Sequence, residues 1–214
     1  MTLNLSLEQR ANLVTLYSEP QRHYHTLAHV HQLLREIEAL PLDDGSKEIL
    51  EAAAWFHDAV YDPMARKGYN EERSAHLFSH AYVNMVGKLS AIHCILATKD
   101  HVAPEGSNKS LCQTFLDIDL SILGKPEDVY DRYAYQIGQE YIQQNVSCDQ
   151  YHTGRLAFLN KMLERERIYQ TAHFYNKYEA QARKNLQREI ESLHCGPVLP
   201  RSTSCWSQKG LEHL

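Results

Sequence analysis

The 214-residue sequence predicts an all-α protein. Apolar residues recur at intervals of three and four through most of the chain, which is the period of an amphipathic helix. Breaks such as Glu19-Pro20 and Gly124-Lys125-Pro126 end one helix and allow the next to begin. No segment shows the alternating pattern of a half-buried strand. We therefore predict one helical domain over residues 1–195 and an irregular tail over residues 196–214.

Local start and stop signals place the helices in order. Ser6 and Gln9 complete a capping box for the first helix, and Thr26 can cap the second. Pro63 disfavours helix at the residue before it, so the third helix should end near residue 61. Acidic residues in a first turn and apolar periodicity define the others. The predicted helices span residues 6–17, 26–40, 46–61, 69–84, 88–100, 110–123, 127–145, 151–167 and 172–193.

Composition argues against several broad classes of protein. The net charge of −5 is unsuited to binding a nucleic acid polymer through its phosphates. No apolar run approaches the length of a membrane span, and the N-terminus lacks a basic segment followed by an apolar one. We therefore predict a cytoplasmic protein without membrane contact. The five cysteines contain no Cys-x-x-Cys pair, which argues against a zinc ribbon or a disulfide framework.

The most informative stretch is residues 52–60, an apolar helical run that contains His57 and Asp58. A helix this apolar is usually buried, so both polar side chains should point into the core. A buried charge is costly unless it is paired or bound to a metal. His and Asp together suit a divalent cation. The alternative is a His–Asp hydrogen bond that only stabilises the fold.

Two more polar side chains fall on the apolar faces of their helices. His29 lies on the inner face of the second helix. Asp119 falls within the apolar arc of the helix over residues 110–123, whereas Asp117 falls nearly opposite, so the spacing selects Asp119 as the buried carboxylate. A single His on such a face is more often a core residue. In the company of His57 and Asp58, we predict that His29 and Asp119 complete a site for one divalent ion, which could be Mn, Mg, Co, Zn, Ni or Fe.

The order His29, His57-Asp58, Asp119 resembles the HD-domain superfamily of metal-dependent phosphohydrolases, and implies its helical fold. Two segments are similar to motifs of the cyclic-nucleotide phosphodiesterase branch, namely Tyr24-His25-x-x-x-His29 and Asp119-Leu120-Ser121. In that branch, the His that corresponds to His25 acts as a proton donor. Asp62 stands where that branch has a further His. From about residue 22 to 193 the chain more closely resembles a bacterial group of predicted HD phosphohydrolases without an assigned substrate. The other similar landmarks are Tyr61-Asp62, Asn70-Glu71, Ser74-Ala75, Ala97-Thr98, His101, Glu179 and Arg183-Asn185.

The resemblance implies hydrolysis of a phosphate ester, in a nucleotide or a related small phosphorylated metabolite, by a metal-activated water. Asp58 and Asp119 would then take part in catalysis as well as binding metal. A general acid must protonate the leaving oxygen. His25 is the first candidate and Glu71 the second, although an acid in a first turn also suits the helix dipole. Candidates for contact with the substrate are Thr98, Lys99, His101 and Arg183.

Two other functions remain open from the sequence. A di-iron oxygenase on the same scaffold would need further His ligands, for which His93 and His101 could serve. A non-catalytic module could bind a nucleotide or metal without turnover. The tyrosines of the helix over residues 127–145 could belong to the core, a pocket or the interface of a homo-oligomer.

Overall fold

The computed structural model describes residues 3–144 and 146–194 of the chain. Within these ranges it contains nine α-helices, one 3₁₀-helix and no strand, which confirms the all-α prediction. None of the described helices is long and apolar enough to cross a membrane. The predicted tail, residues 196–214, lies outside the described residues. The helices are α1 (Leu7–Leu16), α2 (Leu27–Glu38), α3 (Asp44–Phe56), α4 (Tyr69–Ala81), α5 (Lys88–Ala97), α6 (Lys109–Asp119), α7 (Glu127–Ile142), α8 (Cys148–Glu164) and α9 (Ala172–His194), with the 3₁₀-helix Leu120–Gly124 after α6.

The predicted caps of the first helices are confirmed. The Ser6 hydroxyl accepts a hydrogen bond from the Gln9 backbone N–H at 3.1 Å, and the Gln9 side chain accepts one from the Ser6 N–H at 2.8 Å. Thr26 caps α2 and Asp43 caps α3 through side-chain oxygens in the same way. These bonds satisfy N–H groups that have no partner inside the helix, and they fix where each helix begins.

Helix α3 ends at Phe56, five residues earlier than predicted, and this places the His-Asp pair at its end. His57 is the C-cap residue, and Asp58 lies in the turn that follows. The buried Arg22 guanidinium donates to the carbonyl oxygens of Asp58 at 2.7 Å and Ala59 at 3.0 Å. Because Arg22 satisfies these acceptors, the chain can leave the helix before Pro63 is reached.

The core is built around α3, which contacts α2, α4, α5 and α6. Its residues from Leu50 to Phe56 are all buried. The 3₁₀-helix packs mainly on α9, so the second half of the chain closes against the end of α6. Burying an apolar side chain contributes roughly 1.5–3 kcal/mol relative to leaving it in water. This apolar packing holds α2, α3 and α6 together.

Asp117 is fully buried, so the prediction that it faces away from the core is wrong. Its two carboxylate oxygens accept hydrogen bonds from the backbone N–H groups of Gln170 at 2.8 Å and Thr171 at 2.7 Å, just before α9. Burial raises the pKa of Asp117 to about 6 despite these bonds. Helix α6 therefore has buried residues on two sides. One side packs against α2, α3 and α5, and the other is covered by the segment leading into α9.

The described cysteines are of two kinds. Cys94 and Cys112 are free and buried, and their sulfur atoms lie 3.3 Å apart between α5 and α6. Cys148, at the start of α8, is disulfide-bonded.

Candidate metal centre

Four predicted ligands from three parts of the chain converge at one point. His29 comes from the first turns of α2, His57 and Asp58 from the end of α3, and Asp119 from the end of α6. One ligand atom each of His29, His57 and Asp119 lies within 4.8 Å of the other two, so this group could hold a metal ion. The two imidazoles are buried, and the side chain of Asp119 is 13% exposed.

The distances among the ligand atoms of His29, His57 and Asp119 fit those of a single ion, and Asp58 lies beside this group. His29 Nε2 and His57 Nε2 lie 3.2 Å apart, and Asp119 Oδ1 lies 3.3 Å and 3.5 Å from them. Asp58 Oδ2 lies 2.9 Å from His57 Nε2 and 3.8 Å from His29 Nε2. Ligand atoms bound at about 2.1 Å to one ion lie roughly 3.0 Å apart at right angles and roughly 3.4 Å apart in a tetrahedron.

The orientation of the two imidazoles also fits a metal site. Their Nε2 atoms face each other in a buried space, where two unprotonated nitrogens would repel without a cation between them. His57 Nδ1 lies 3.1 Å from the Ala54 carbonyl oxygen, the usual type of outer partner that orients a ligating imidazole. His29 Nδ1 is buried and has no hydrogen-bond partner. The donor set of two imidazoles and two carboxylates suits several divalent ions.

The carboxylates of this centre are balanced only by imidazoles. Among the described residues, no Lys or Arg makes an ion pair with Asp58 or Asp119. Burial raises the pKa of Asp58, but the charges of His57 and His25 outweigh it and hold the pKa low. The pKa of Asp119 lies well below its ordinary value, because hydrogen bonds from three imidazoles outweigh its burial. In return, the two acids raise the pKa of His57 well above its usual range.

His25 lies beside the centre and is held by Glu140. Its Nδ1 lies 2.6 Å from Glu140 Oε2, and its Nε2 lies 3.8 Å from Asp58 Oδ2. Burial lowers the pKa of His25, but the charges of Glu140 and Asp58 outweigh this and raise it overall. The ring therefore has one nitrogen fixed by a carboxylate and the other directed towards the predicted ligands.

Glu140 on α7 is the fixed point of this arrangement. Its Oε1 accepts hydrogen bonds from the backbone N–H groups of residues 23, 24 and 25 at 2.8–2.9 Å, and its Oε2 accepts one from the Tyr61 hydroxyl at 2.8 Å. Burial raises the pKa of Glu140, yet the charge of His25 and these hydrogen bonds lower it to about 2. Glu140 thus positions both His25 and the segment that leads into α2.

A cavity of about 670 Å³ opens onto the centre. Its volume is within the range of small-molecule sites in proteins. Six of the predicted catalytic and substrate-binding residues line it together with Asp119, namely His25, Asp58, Glu71, Thr98, Lys99 and His101. The structure therefore brings most of the predicted site to one concave surface.

His101 reaches the centre through an unusual backbone conformation. It has a positive φ of 51°, which few residues other than glycine adopt. Its Nε2 lies 3.3 Å from Asp119 Oδ2. Arg165 donates to the carbonyl oxygens of Asp100 at 3.0 Å and His101 at 3.1 Å, and so stabilises this turn from outside.

Two predicted roles are not supported by the contacts. Arg183 does not line the cavity, because its guanidinium binds Glu179 at 2.8 Å and the carbonyl oxygens of residues 163, 165 and 166. His93 is exposed on α5 and contacts Asn108 at 3.0 Å. Arg183 therefore lies outside this cavity and His93 is held on the surface, so substrate contact by Arg183 and metal binding by His93 stay predictions.

Sequence reasoning missed Glu140 and Arg155. Glu140 follows Tyr133 and Ile137 at helical spacing on the buried face of α7, so its burial could have been predicted. Arg155 interrupts the apolar face of α8 in the same way and lines the cavity. Helical spacing could not reveal which residues Glu140 and Arg155 bind.

The tyrosines of α7 are divided between the core and the cavity. Tyr130 is fully buried, while Tyr133 and Tyr141 line the cavity. Tyr135, at 40% exposed, faces outward. The predicted homo-oligomer stays a prediction.

We compared the chain with family models, curated proteins and solved structures, and none of them matches it. A functional conclusion for this chain therefore depends on its own residues and geometry. The convergence of His29, His57 and Asp119, with Asp58 beside them, at the end of a cavity is the strongest such observation.

Proposed function

We propose that the protein is a metal-dependent phosphohydrolase that cleaves a phosphate ester of a nucleotide or related small metabolite. One observation carries the proposal: two acids and two imidazoles share a site that no Lys or Arg neutralises in the described structure. Two carboxylates beside buried imidazoles form a donor set that suits a divalent ion, and binding of that ion would stabilise the fold. The position of this group at the end of a cavity favours a catalytic ion over a purely structural one.

The ligands would be His29, His57, Asp58 and Asp119. An ion bound there supplies Lewis acidity, which lowers the pKa of a bound water and neutralises charge on a phosphate. Asp58 and Asp119, each partly exposed to the cavity, can also orient the attacking water through their second oxygens.

His25 would donate the proton to the leaving oxygen. Its Nε2 lies on the cavity side of the ring, within 3.8 Å of Asp58, and Glu140 fixes the opposite nitrogen. A general acid must be held within reach of the leaving group, and this bond to Glu140 provides the necessary orientation. Glu71, in the first turn of α4, lines the same cavity and is the second candidate.

Lys99 and His101 are the candidates for phosphate contact. Lys99 is exposed and lines the cavity, and His101 lies beside Asp119. Thr98 is a poorer candidate, since its hydroxyl already donates to the Ile95 carbonyl at 2.7 Å and phosphate oxygens require donors.

A phosphatase screen tests the proposal. Metal-stripped protein would be assayed with Mn²⁺, Mg²⁺, Co²⁺ or Zn²⁺ against nucleotides and a generic phosphate ester. We expect metal-dependent phosphate release that is lost in His57→Ala and Asp119→Ala. His31→Ala and Asp62→Asn are matched controls, because both side chains are exposed. Activity that survives in His57→Ala and Asp119→Ala would overturn the assignment.

A di-iron oxygenase is the second candidate function. The nearness of His101 to Asp119 favours it, because it adds a third imidazole to the centre. The exposed position of His93 argues against it, because the expected ligand set is then incomplete. Two equivalents of iron per chain together with an oxygen-dependent product would support the oxygenase. Metal and nucleotide binding without turnover would instead indicate a non-catalytic module.

A further inference from the structure

The cavity has two chemically different ends. The end at the metal centre is polar and includes Asn70, Glu71, Lys99 and His101. The other end is built by the 3₁₀-helix, α7 and α8 and is mainly apolar and aromatic. Its walls include Ile122, Leu123, Tyr133, Ile137, Tyr141 and Phe158. A phosphate group at the metal centre would occupy only a small part of the 670 Å³, and the apolar end is available to the rest of a substrate.

The charges on the cavity walls suit one phosphate. Of the described residues that line it, only Lys99 and Arg155 are permanently cationic. Arg155 is buried and already engaged: its Nε and one terminal nitrogen bind Glu189 at 2.8 Å and 3.0 Å, and the other donates to the Tyr133 hydroxyl at 3.2 Å. Lys99 is thus the cation that is available to a phosphate. A triphosphate would bring several more negative charges than this one cation can neutralise.

The apolar end offers flat aromatic surfaces held in place by neighbours. The Arg155 guanidinium lies 5.1 Å from the Tyr133 ring centre and 5.2 Å from that of Phe158. The Tyr141 and Tyr151 rings are tilted by 39° with centres 5.8 Å apart. Such surfaces stack well on planar rings.

Two cavity-lining tyrosines have hydroxyls without a partner. The hydroxyl groups of Tyr24 and Tyr151 are buried and make no hydrogen bond, although both residues are more than nine-tenths buried. Buried polar groups are nearly always paired, so an unpaired hydroxyl beside a cavity indicates a partner supplied by a ligand. A ring that carries polar atoms at its edge would supply it.

Gly154 is exposed at the rim of this end. It lies in the middle of α8, where glycine costs about 1 kcal/mol relative to alanine. A Cβ added at Gly154 would meet no atom within 4 Å. A larger side chain there would displace no neighbour and would narrow the entrance to this end of the cavity.

We infer that the α7–α8 end of the cavity is a binding subsite for a planar, polar-edged ring of the nucleobase class. The inference rests on the proposed function and makes the substrate a monoester with a single phosphate. The phosphate lies at the metal centre and the ring among Tyr133, Tyr141 and Phe158, with Gly154 at the rim of the subsite.

Substitution at Gly154 tests the subsite. The probes are adenosine 5′-monophosphate and ribose 5-phosphate, which differ by the ring, and adenosine 5′-triphosphate, which adds two phosphates. For the wild type we expect a kcat/KM at least tenfold higher for the monophosphate than for either of the others. Gly154→Leu should raise KM for adenosine 5′-monophosphate but not for ribose 5-phosphate. The ratio of their kcat/KM values should therefore fall towards unity. Phe158→Ala should lower this ratio as well.

The controls separate loss of space from loss of folding. Asn160→Leu places the same leucine side chain on α8 at an exposed position that does not line the cavity. It should keep the wild-type preference, and circular dichroism should show every variant folded. Equal hydrolysis of the nucleotide and ribose 5-phosphate, unaffected by Gly154→Leu, would overturn the subsite and leave the proposed function standing.

Failure of the proposed function would give a different result. In that case no probe is hydrolysed with any of the four ions. Equilibrium binding of adenosine 5′-monophosphate to the same preparations then decides the subsite. Binding that Gly154→Leu weakens at least tenfold and Asn160→Leu does not would support it. Binding that is absent, or equal in all variants, would overturn it.

Discussion

The molecule contains two groups of buried acids that are neutralised in different ways. In the second half of the chain, Glu189 is paired with Arg155 and accepts a hydrogen bond from the Tyr130 hydroxyl. In the metal centre, Asp58 and Asp119 face imidazoles and an open cavity. Arg155 neutralises the first group within the protein, whereas in the described structure the second faces no Lys or Arg, and the proposed cation would supply that charge.

Other acids follow the first pattern. Glu36 contacts Lys125 at 2.5 Å, Lys177 at 2.9 Å and the Tyr178 hydroxyl at 2.6 Å. Glu179 accepts hydrogen bonds from Arg183 and from the backbone N–H groups of residues 168 and 169. The contrast teaches that burial of an acid is not by itself a sign of function in this fold. The identity of the partner distinguishes the two groups.

The largest expected effect is on activity at the metal centre. Asp119→Asn keeps the size of the side chain and removes its charge, so it should reduce metal-dependent phosphate release about 10³-fold or more. The melting temperature without metal should fall, but less than in a variant that leaves a buried guanidinium unpaired, because the imidazoles that stabilise the Asp119 carboxylate can lose their protons. Steady-state kinetics and thermal unfolding measure the two quantities. A variant that unfolds without metal would place Asp119 with the structural acids instead.

Removal of Glu189 should act mainly on the stability of the fold. Glu189→Ala leaves the Arg155 guanidinium buried and unpaired, which should lower the free energy of unfolding by about 3–5 kcal/mol. Asp131→Ala is the matched control, because its ion pair with Arg188 is exposed and should contribute less than about 1 kcal/mol. Urea titrations measure both values. Equal losses in the two variants would contradict the contrast.

Addition of metal should stabilise the protein through Asp58 and Asp119, and not through the acids that are paired with Lys or Arg. Mn²⁺ at a hundred times its dissociation constant should increase the free energy of unfolding by about 2.7 kcal/mol. The increase should vanish in Asp119→Asn and persist in Asp131→Ala. Calorimetry with and without chelator provides the measurement. An equal increase in Asp119→Asn would place the ion somewhere else.

The smallest expected effect concerns acid stability. Burial raises the pKa of Glu36, but hydrogen bonds from Lys125, Tyr178 and Lys177 outweigh it and lower the pKa to about 2. The folded pKa is below the unfolded value, so this stabilisation is complete above about pH 4.5 and is lost as the pH falls towards 2. Solvent around the lysines limits it to roughly 1–2 kcal/mol.

Glu36→Gln isolates this contribution. The variant should be less stable than the wild type at pH 7 and should approach it at pH 2 to 3, as followed by urea titrations across this range. Glu38→Gln is a control, because Glu38 is on the same helix, α2, and its side chain is exposed. A stability difference that is the same at all pH values would exclude the charge of Glu36 as its source.

The sequence by itself determined the helices and much of the metal centre. Caps such as Ser6 and Thr26 have local partners, so they could be read from neighbouring residues. Helical spacing placed His29 and His57 on buried faces, because that placement depends on the period of one helix.

Only the tertiary structure decided which charges are paired. The period of α6 placed Asp119 towards the core and Asp117 away from it, yet the segment before α9 covers Asp117 and hydrogen bonds it. Arg183 binds Glu179 and three carbonyl groups, and the sequence did not indicate any of these partners. Such pairings join residues far apart in the chain, and no local period of the sequence encodes which distant charge a side chain will meet.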